Sequence, residues 1–376
     1  MKIAIVIRCC RCHGSSRYAL EVTKRLVRDN EVHVFTNNWD ELDKRVVIHK
    51  VPTFSNSFYV YEASFITLAS AMMKMNKFDV TMAQPTRFFS PDVGYMQFVY
   101  REWANYKKAN GIPMAFGDSV LPAIEKMNVE KAKKIIVMSQ VLKNEVLKNY
   151  NVPDEKVEVI YSGVNCDEFS PDNKKLYNSG IRKKLGIEEN DIVLLFVGNP
   201  YNRKGLEYAV RALPLINEKR VKLLVMGKDL GDEKIANYQA LAKKIGVGDK
   251  LVYGGFTNEI KKYFSVGDIF VFPTLYEPFG LVITEAMASG MPDIVSKCAG
   301  AAELIEDGKE GLLLDNPKSS EEIAEKINYL IDNNLFRKMG KAARAKAETF
   351  TWDNTVKQML SVFEEAAEMK RRNIKY

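Results

Sequence analysis

The chain has 376 residues, 46% of them hydrophobic and 27% charged, a length that calls for two domains of ordinary size rather than one core. Its formal net charge of +7 comes from 55 basic and 48 acidic residues that are interleaved, and no recognition module is visible; this argues against a nucleic-acid partner and leaves only a weak attraction to anionic lipid heads. Five cysteines, an odd count, argue against a disulfide framework. No apolar run is long enough to span a bilayer, and the expected address is therefore cytoplasmic, with peripheral attachment to the inner face of the membrane left open.

Lys2 to Ile7 reads as a strand that starts directly at the N-terminus, with no signal sequence before it. Cys9, Cys10, Cys12 and His13 crowd the turn after it, but adjacent residues are badly placed to supply four tetrahedral ligands, and no second ligand pair completes a zinc site. Gly14-Ser15-Ser16 then precedes Tyr18, Val22 and Leu26 at helical spacing, with Ser15 or Ser16 as the cap. Glu31 to Thr36 and Val46 to Val51 read as strands, Phe65 to Met75 as a helix and Phe78 to Ala83 as another strand. Such alternation implies an α/β, doubly wound parallel sheet. The first turn, Arg8 to Ser16, lacks G-x-G-x-x-G, so a dinucleotide fingerprint is absent.

Gln97, Tyr100 and Arg101 fall in a loop region further on, and Gln97 and Tyr100 can hydrogen-bond a ligand hydroxyl. Lys134 to Ser139 reads as another buried strand, and the polar stretch Asp172 to Gly180, which follows the segment Lys156 to Val164, looks like a linker, placing a boundary near Phe169. Asp191 to Val197 must be a central strand. It leads into the polar turn Gly198-Asn199-Pro200-Tyr201-Asn202-Arg203-Lys204-Gly205 and a helix from Leu206 to Ile216. In that turn Arg203 offers a planar fork to phosphate oxygens and Lys204 a point charge, at the strand end where doubly wound sheets bind ligands. Leu223 to Gly227, Leu251 to Gly254 and Asp268 to Pro273 are further strands, separated by helices Asp232 to Ile245 and Asn258 to Ser265.

Glu277 to Gly280 reads as a turn and Leu281 to Ala288 as a short apolar helix stopped by Gly290. The first N–H groups of that helix, near Leu281 and Val282, lack intrahelical partners and carry the positive end of the dipole, which suits a diphosphate. Glu285 lies one turn beyond Leu281 and can accept hydrogen bonds from vicinal hydroxyls. Asp293 to Ser296 and Gly311 to Leu314 are the last strands, with a helix from Gly300 to near Gly308 between them. Helical segments Ser319 to Asn333, Leu335 to Phe350 and Trp352 to Arg372 close the chain.

Two glutamates separated by seven residues, Glu277 and Glu285, enclose Phe279-Gly280-Leu281 and are followed by Ala286-Met287-Ala288-Ser289-Gly290 and by Gly300 and Glu303. This pattern, with Arg203 and Lys204, resembles the retaining glycosyltransferases of family 4, in the contiguous Arg-Lys-Gly form of the bacterial lipopolysaccharide-core glucosyltransferases. The resemblance implies the GT-B fold, two Rossmann-like domains facing a central cleft. These are 1–169 plus the C-terminal helix 353–376 on the acceptor side, and 170–352 on the nucleotide-sugar side. The last helix would cross back through Trp352, Val356, Leu360 and Phe363. The resemblance further implies that Arg203 and Lys204 stabilise the departing diphosphate with Gly280, Leu281 and Val282, and that Glu277 with Phe279 and Gly280 orients the sugar. Glu285 would hold the ribose, Gly255 and Phe256 would flank the base, and Gly14 and Ser15 would face the donor from the first domain.

The activity so implied is transfer of a hexose from a UDP- or GDP-linked donor to a hydroxyl of a glycan or glycolipid acceptor in cell-surface polysaccharide or lipopolysaccharide assembly. Retention would follow from front-face attack. Family members often carry a histidine where this chain has Tyr100, one of the acceptor-side residues with Gln97 and Arg101. No D-x-D pattern occurs, so neither a metal nor another cofactor is expected. A nonhydrolysing nucleotide-sugar epimerase, a synthase with a soluble sugar acceptor and an inactive nucleotide-sugar-binding protein remain as alternatives, and oligomeric state is left open.

Overall fold

The computed structural model describes residues 1–10, 15–40, 42–54, 58–84, 90–115, 117–229 and 234–373. The chain divides into two units, Met1–Gly163 with Trp352–Tyr376, and Val164–Thr351. In the first, strands β1 (Lys2–Ile7), β2 (Glu31–Thr36), β3 (Val47–Lys50), β4 (Val80–Gln84), β5 (Val93–Met96), β6 (Lys134–Val137) and β7 (Val157–Val159) form one parallel sheet in the order β3-β2-β1-β4-β5-β6-β7. Burial on both faces explains why β1 carries a near-continuous apolar run rather than an alternation, while β2 is equally buried from Val32 on although it includes His33 and Thr36. Helix Ser15–Leu26 turns Tyr18, Val22 and Leu26 inward, all at most 1% exposed, as their spacing predicts.

Helix Trp352–Arg371 belongs to this first unit. The Trp352 and Tyr18 rings pack in a T-shaped pair with centroids 5.5 Å apart, and the Tyr18 hydroxyl donates to Met359 Sδ at 3.0 Å. Lys370 donates to Asp92 at 2.9 Å and Lys134 pairs with Glu365 at 2.9 Å. The buried stripe runs through Trp352, Val356, Met359 and Phe363, so Met359 fills the position expected for Leu360, which is only half-buried.

In the second unit β8 (Ile192–Val197), β9 (Val221–Met226), β10 (Leu251–Gly255), β11 (Ile269–Phe272), β12 (Asp293–Ser296) and β13 (Gly311–Leu314) form a parallel sheet in the order β10-β9-β8-β11-β12-β13. Both units are thus Rossmann-like α/β layers, as the resemblance implies. The order reverses between β8 and β11, and that switch point decides where a ligand is received.

Several boundaries differ from the sequence reading. Residues 164–169 lie in the second unit, because Arg344 Nη1 donates to the carbonyls of Cys166 and Phe169 at 3.0 and 2.8 Å and Val164 N donates to Phe350 O at 2.9 Å. The polar stretch expected to be a linker is a helix, Asn173–Leu185, closed by Gly186 at φ 67°. Its Arg182 is 8% exposed, pairs with Asp268 at 3.1 Å and caps the carbonyls of Glu188 and Asp191. Gln140–Asn149 is a further helix, and Ser139 is its cap rather than a strand end, its Oγ accepting from Leu142 N at 3.1 Å. The segment after Gly300 makes only a 3₁₀ turn, Gly300–Leu304.

Candidate active site

Two loops leave the carboxyl ends of β8 and β11, the neighbours that flank the switch point. The β8 loop carries Arg203 and Lys204, and a left-handed Gly205 at φ 76° turns it into helix Leu206–Ala212. Glycine is required there: a Cβ on Gly205 would lie 1.9 Å from the carbonyl oxygen of Pro273 in the other loop. That close approach stitches the loops together. Leu275 N donates to Arg203 O at 2.8 Å, and Arg203 Nη1 donates to Tyr276 O at 2.9 Å. The buried Thr274 hydroxyl lies 3.2 Å from Arg203 O and 3.3 Å from Tyr276 O. Thr274 has no role in the sequence reading, although a lone hydroxyl closing an apolar strand just before a polar turn is the signal that marks it.

Lys204 is 7% exposed, and its stem lies against Gly198, where a Cβ would come within 3.1 Å of Lys204 Cγ, and near the Phe272 ring, with Nζ 5.1 Å from the centroid. Burial, and after it the Arg203 guanidinium, pushes the Lys204 ammonium well below its ordinary value. The Glu277 carboxylate, in direct contact with Nζ, supplies the partner that such a buried charge needs.

Glu277 itself is fixed through its backbone. It bridges Ala299 in parallel fashion, Gly300 N donates to its carbonyl at 2.9 Å, and Ala301 N donates to Phe279 O at 2.8 Å. Gly280, at φ 97°, then opens helix Leu281–Ala288, which has no side-chain cap. The N–H groups of Leu281 and Val282 are therefore first-turn donors without intrahelical acceptors, on half-buried residues. Glu285, one turn on, is 8% exposed, while Phe279, at 1% exposed, is a packing residue whose backbone alone is available.

At the neighbouring strand ends, Gly227 N donates to Gly255 O at 3.0 Å, and Gly255 has φ 76°. Phe256, next to it, is 55% exposed. Arg203, Lys204, Glu277, Gly280, Leu281, Val282 and Glu285 thus gather at one sheet edge around the switch point, with Gly255 and Phe256 two strands away along the same edge. This edge combines two cations, a helix terminus and two carboxylates. It can hold a diphosphate by charge and backbone donors while its carboxylates accept from hydroxyls.

The first-unit candidates are less uniform. Gly14 lies outside the described residues, as does the side chain of Ser15, which opens its helix. Gln97 is half-buried and Arg101 exposed. Tyr100 begins helix Tyr100–Ala109 rather than lying in a loop; it is 5% exposed, its ring is 4.6 Å from that of Phe98, and its N–H donates to the buried Glu125 at 2.9 Å. Such burial makes Tyr100 part of the packing, and of the three only Gln97 and Arg101 present surface. At the end of β1, Arg8 pairs with the buried Glu62 at 2.6 Å, a contact with no counterpart in the sequence reading because the partners are 54 residues apart. Among the described residues no cluster of three or more His, Cys, Asp or Glu side chains could hold a metal ion.

Comparison with known proteins follows the same division. Residues 13–168 match the glycosyltransferase family 4 description and residues 178–346 the group 1 glycosyl transferases. An uncharacterized glycosyltransferase of Methanocaldococcus jannaschii is 34% identical over 256 residues, covering 66% of this chain; the chain spans 64% of that relative's length. The lipopolysaccharide glucosyltransferase WaaG of Escherichia coli is 24% identical over 87% of both chains. A crystal structure of WaaG superposes with a TM-score of 0.80 at 23% identity over 98% of this chain and 99% of that one. HepE of Anabaena, solved with UDP and glucose, superposes with a TM-score of 0.75 at 19% identity over 97% and 100% of the two chains.

Proposed function

We propose a reaction on the premise that this chain belongs to the group 1 glycosyltransferases: transfer of a hexose from a nucleoside diphosphate sugar to a hydroxyl of a glycan or glycolipid. The observation that carries it is the meeting of Arg203, Lys204, Glu277 and the Leu281 helix terminus at the β8/β11 switch point. The bond from the anomeric carbon to the β-phosphate oxygen breaks, the acceptor oxygen attacks the same face, and its proton passes to the departing phosphate. Configuration is retained. Charge grows on the diphosphate as it leaves, where Arg203, Lys204 and the N–H groups of Leu281 and Val282 are already in place. Removing one such preorganised donor is worth about 3 kcal/mol, roughly a hundredfold in rate. Glu277 orients the sugar, and Glu285 accepts from the ribose hydroxyls.

The two cations neutralise the diphosphate in the way a divalent metal otherwise would, so the reaction needs no metal. A UDP-linked hexose and an acceptor of the lipopolysaccharide class are the finer reading, supported by the similarity to HepE, solved with UDP and glucose, and to the lipopolysaccharide glucosyltransferase WaaG. Among the described residues no helix is long and apolar enough to cross a membrane. The proposed place of action is the cytoplasmic side of the membrane, with peripheral contact to it.

The test is incubation with UDP-, GDP- and ADP-sugars, following release of the nucleoside diphosphate, with Glu285→Ala as control. Release from one donor, lost in the variant, supports the reading. Release that Glu285→Ala leaves intact removes the ribose assignment, and absence of both release and binding for every donor refutes the function.

A further inference from the structure

The two charged side chains assigned above to different parts of the donor are in contact with each other. The Lys204 ammonium donates to Glu277 Oε2, and the two side chains are only 9% and 12% exposed. Both ends of this contact are set by backbone. Lys204 N donates to Pro200 O at 3.1 Å, and its stem is confined between Gly198 and Phe272. The turn that bears Glu277 is pinned by Gly300 N and by the bridge to Ala299.

A diphosphate that reaches Lys204 draws the ammonium donors away from Glu277. It then leaves a carboxylate with little water around it beside new negative charge, an arrangement that is unfavourable unless other donors replace the lost one. Sugar hydroxyls are such donors; a bare nucleoside diphosphate has none at that position. Resting on the assignment of this site to a nucleoside diphosphate sugar, we propose that the Lys204–Glu277 pair is a specificity device that favours the sugar-bearing donor over the bare nucleoside diphosphate. The pair opposes the bare diphosphate and yields to the intact donor, whose hydroxyls satisfy Glu277. After transfer those hydroxyls have left with the acceptor. Glu277 then recaptures Lys204, and the spent diphosphate is displaced.

Equilibrium titration of UDP, UDP-glucose, GDP and GDP-mannose into the wild type, Glu277→Gln and Glu277→Asp tests this. Gln keeps the shape without the charge, whereas Asp keeps the charge but falls one methylene short, so either variant reports if the other does not fold. The wild type is expected to bind the sugar nucleotide more tightly than its bare diphosphate by about tenfold or more, the value of one hydrogen bond to a charged group. In each variant the bare diphosphate should bind more tightly than it does to the wild type and the sugar nucleotide less tightly, bringing the ratio of the two Kd values close to one. Variants that keep the wild-type ratio, or that bind the bare diphosphate more weakly, overturn the proposal. If none of the four compounds binds the wild type, it is the assignment of the site to a nucleotide sugar that fails, and the proposal with it.

Discussion

Asp293 opens β12 with a completely buried side chain, and neither of its carboxylate oxygens has a hydrogen-bond partner among the described residues. Its strand neighbours are Phe270 in β11 and Gly311 in β13, which bring no charge. Burial alone pushes its carboxyl well above the ordinary carboxylate range. In an unfolded chain an aspartate titrates near pH 3.9, so keeping it protonated at pH 7 costs at most about 4 kcal/mol, at about 1.4 kcal/mol per pH unit. Because the folded value is raised, the stability contribution is complete below about pH 4 and is lost as pH rises toward the folded value. Asp293→Asn keeps the shape and cannot titrate. Relative to wild type it should be nearly neutral at pH 4 and increasingly stabilising toward pH 7, by up to about 4 kcal/mol, a large share of a domain's net stability. The assay is denaturant unfolding between pH 4.5 and 7.5 followed by circular dichroism, since Trp39, Trp103 and Trp352 all lie in the first unit and Asp293 lies in the second. Parallel stability curves for the two proteins over that range, or an Asn variant less stable at pH 7, would refute the reasoning.

Gly205→Ala should abolish nucleotide-sugar binding, because the added Cβ must push the Arg203 loop off Pro273. Gly186→Ala is the matched control, with φ 67° and no atom within 4 Å of the new Cβ; it should cost only the strain of a left-handed residue, about 1 kcal/mol, and leave binding intact. Equal binding by the two variants, read by titration, would show that the contact between the loops does not hold the site. Chelation of divalent cations with EDTA should leave the transfer rate unchanged, and loss of activity restored by added magnesium would show that Arg203 and Lys204 do not suffice to neutralise the diphosphate.

The sheet edge that holds the candidate site was legible because its signals are local. Continuous apolar strands such as Ile192–Val197, a polar turn and then a helix identify a parallel strand end whatever surrounds it, and Glu277 and Glu285 fall at a spacing that one turn and one helix fix. The contacts that lock the site were not legible. The Thr274 hydroxyl, the Pro273 carbonyl against Gly205 and the Lys204–Glu277 pair all join segments about 70 residues apart, and one sequence carries no trace of such pairings. The stretch Asp172 to Gly180 reads as a linker for a related reason, although it lies largely in helix Asn173–Leu185. Its sequence is polar, and what holds it is the burial of Arg182 against Asp268 and backbone carbonyls rather than an apolar stripe. Tyr100 is expected on the acceptor side because it falls where the resembled family often carries a histidine, and that correspondence says nothing of burial. Its anchor, Glu125, comes from a helix that has little periodicity of its own.

The return of Trp352–Arg371 to the first unit makes the second unit an insertion within the first, and Val164 N bonded to Phe350 O brings the two ends of that insertion side by side. During synthesis, residues 164–351 are all available before Trp352 leaves the ribosome, so the later unit in sequence can complete its core first. The unit that begins at Met1 must wait, with the faces of Tyr18, Asp92 and Lys134 uncovered, until the closing helix arrives. Any truncation that removes this helix therefore damages the part of the protein farthest from it in the chain.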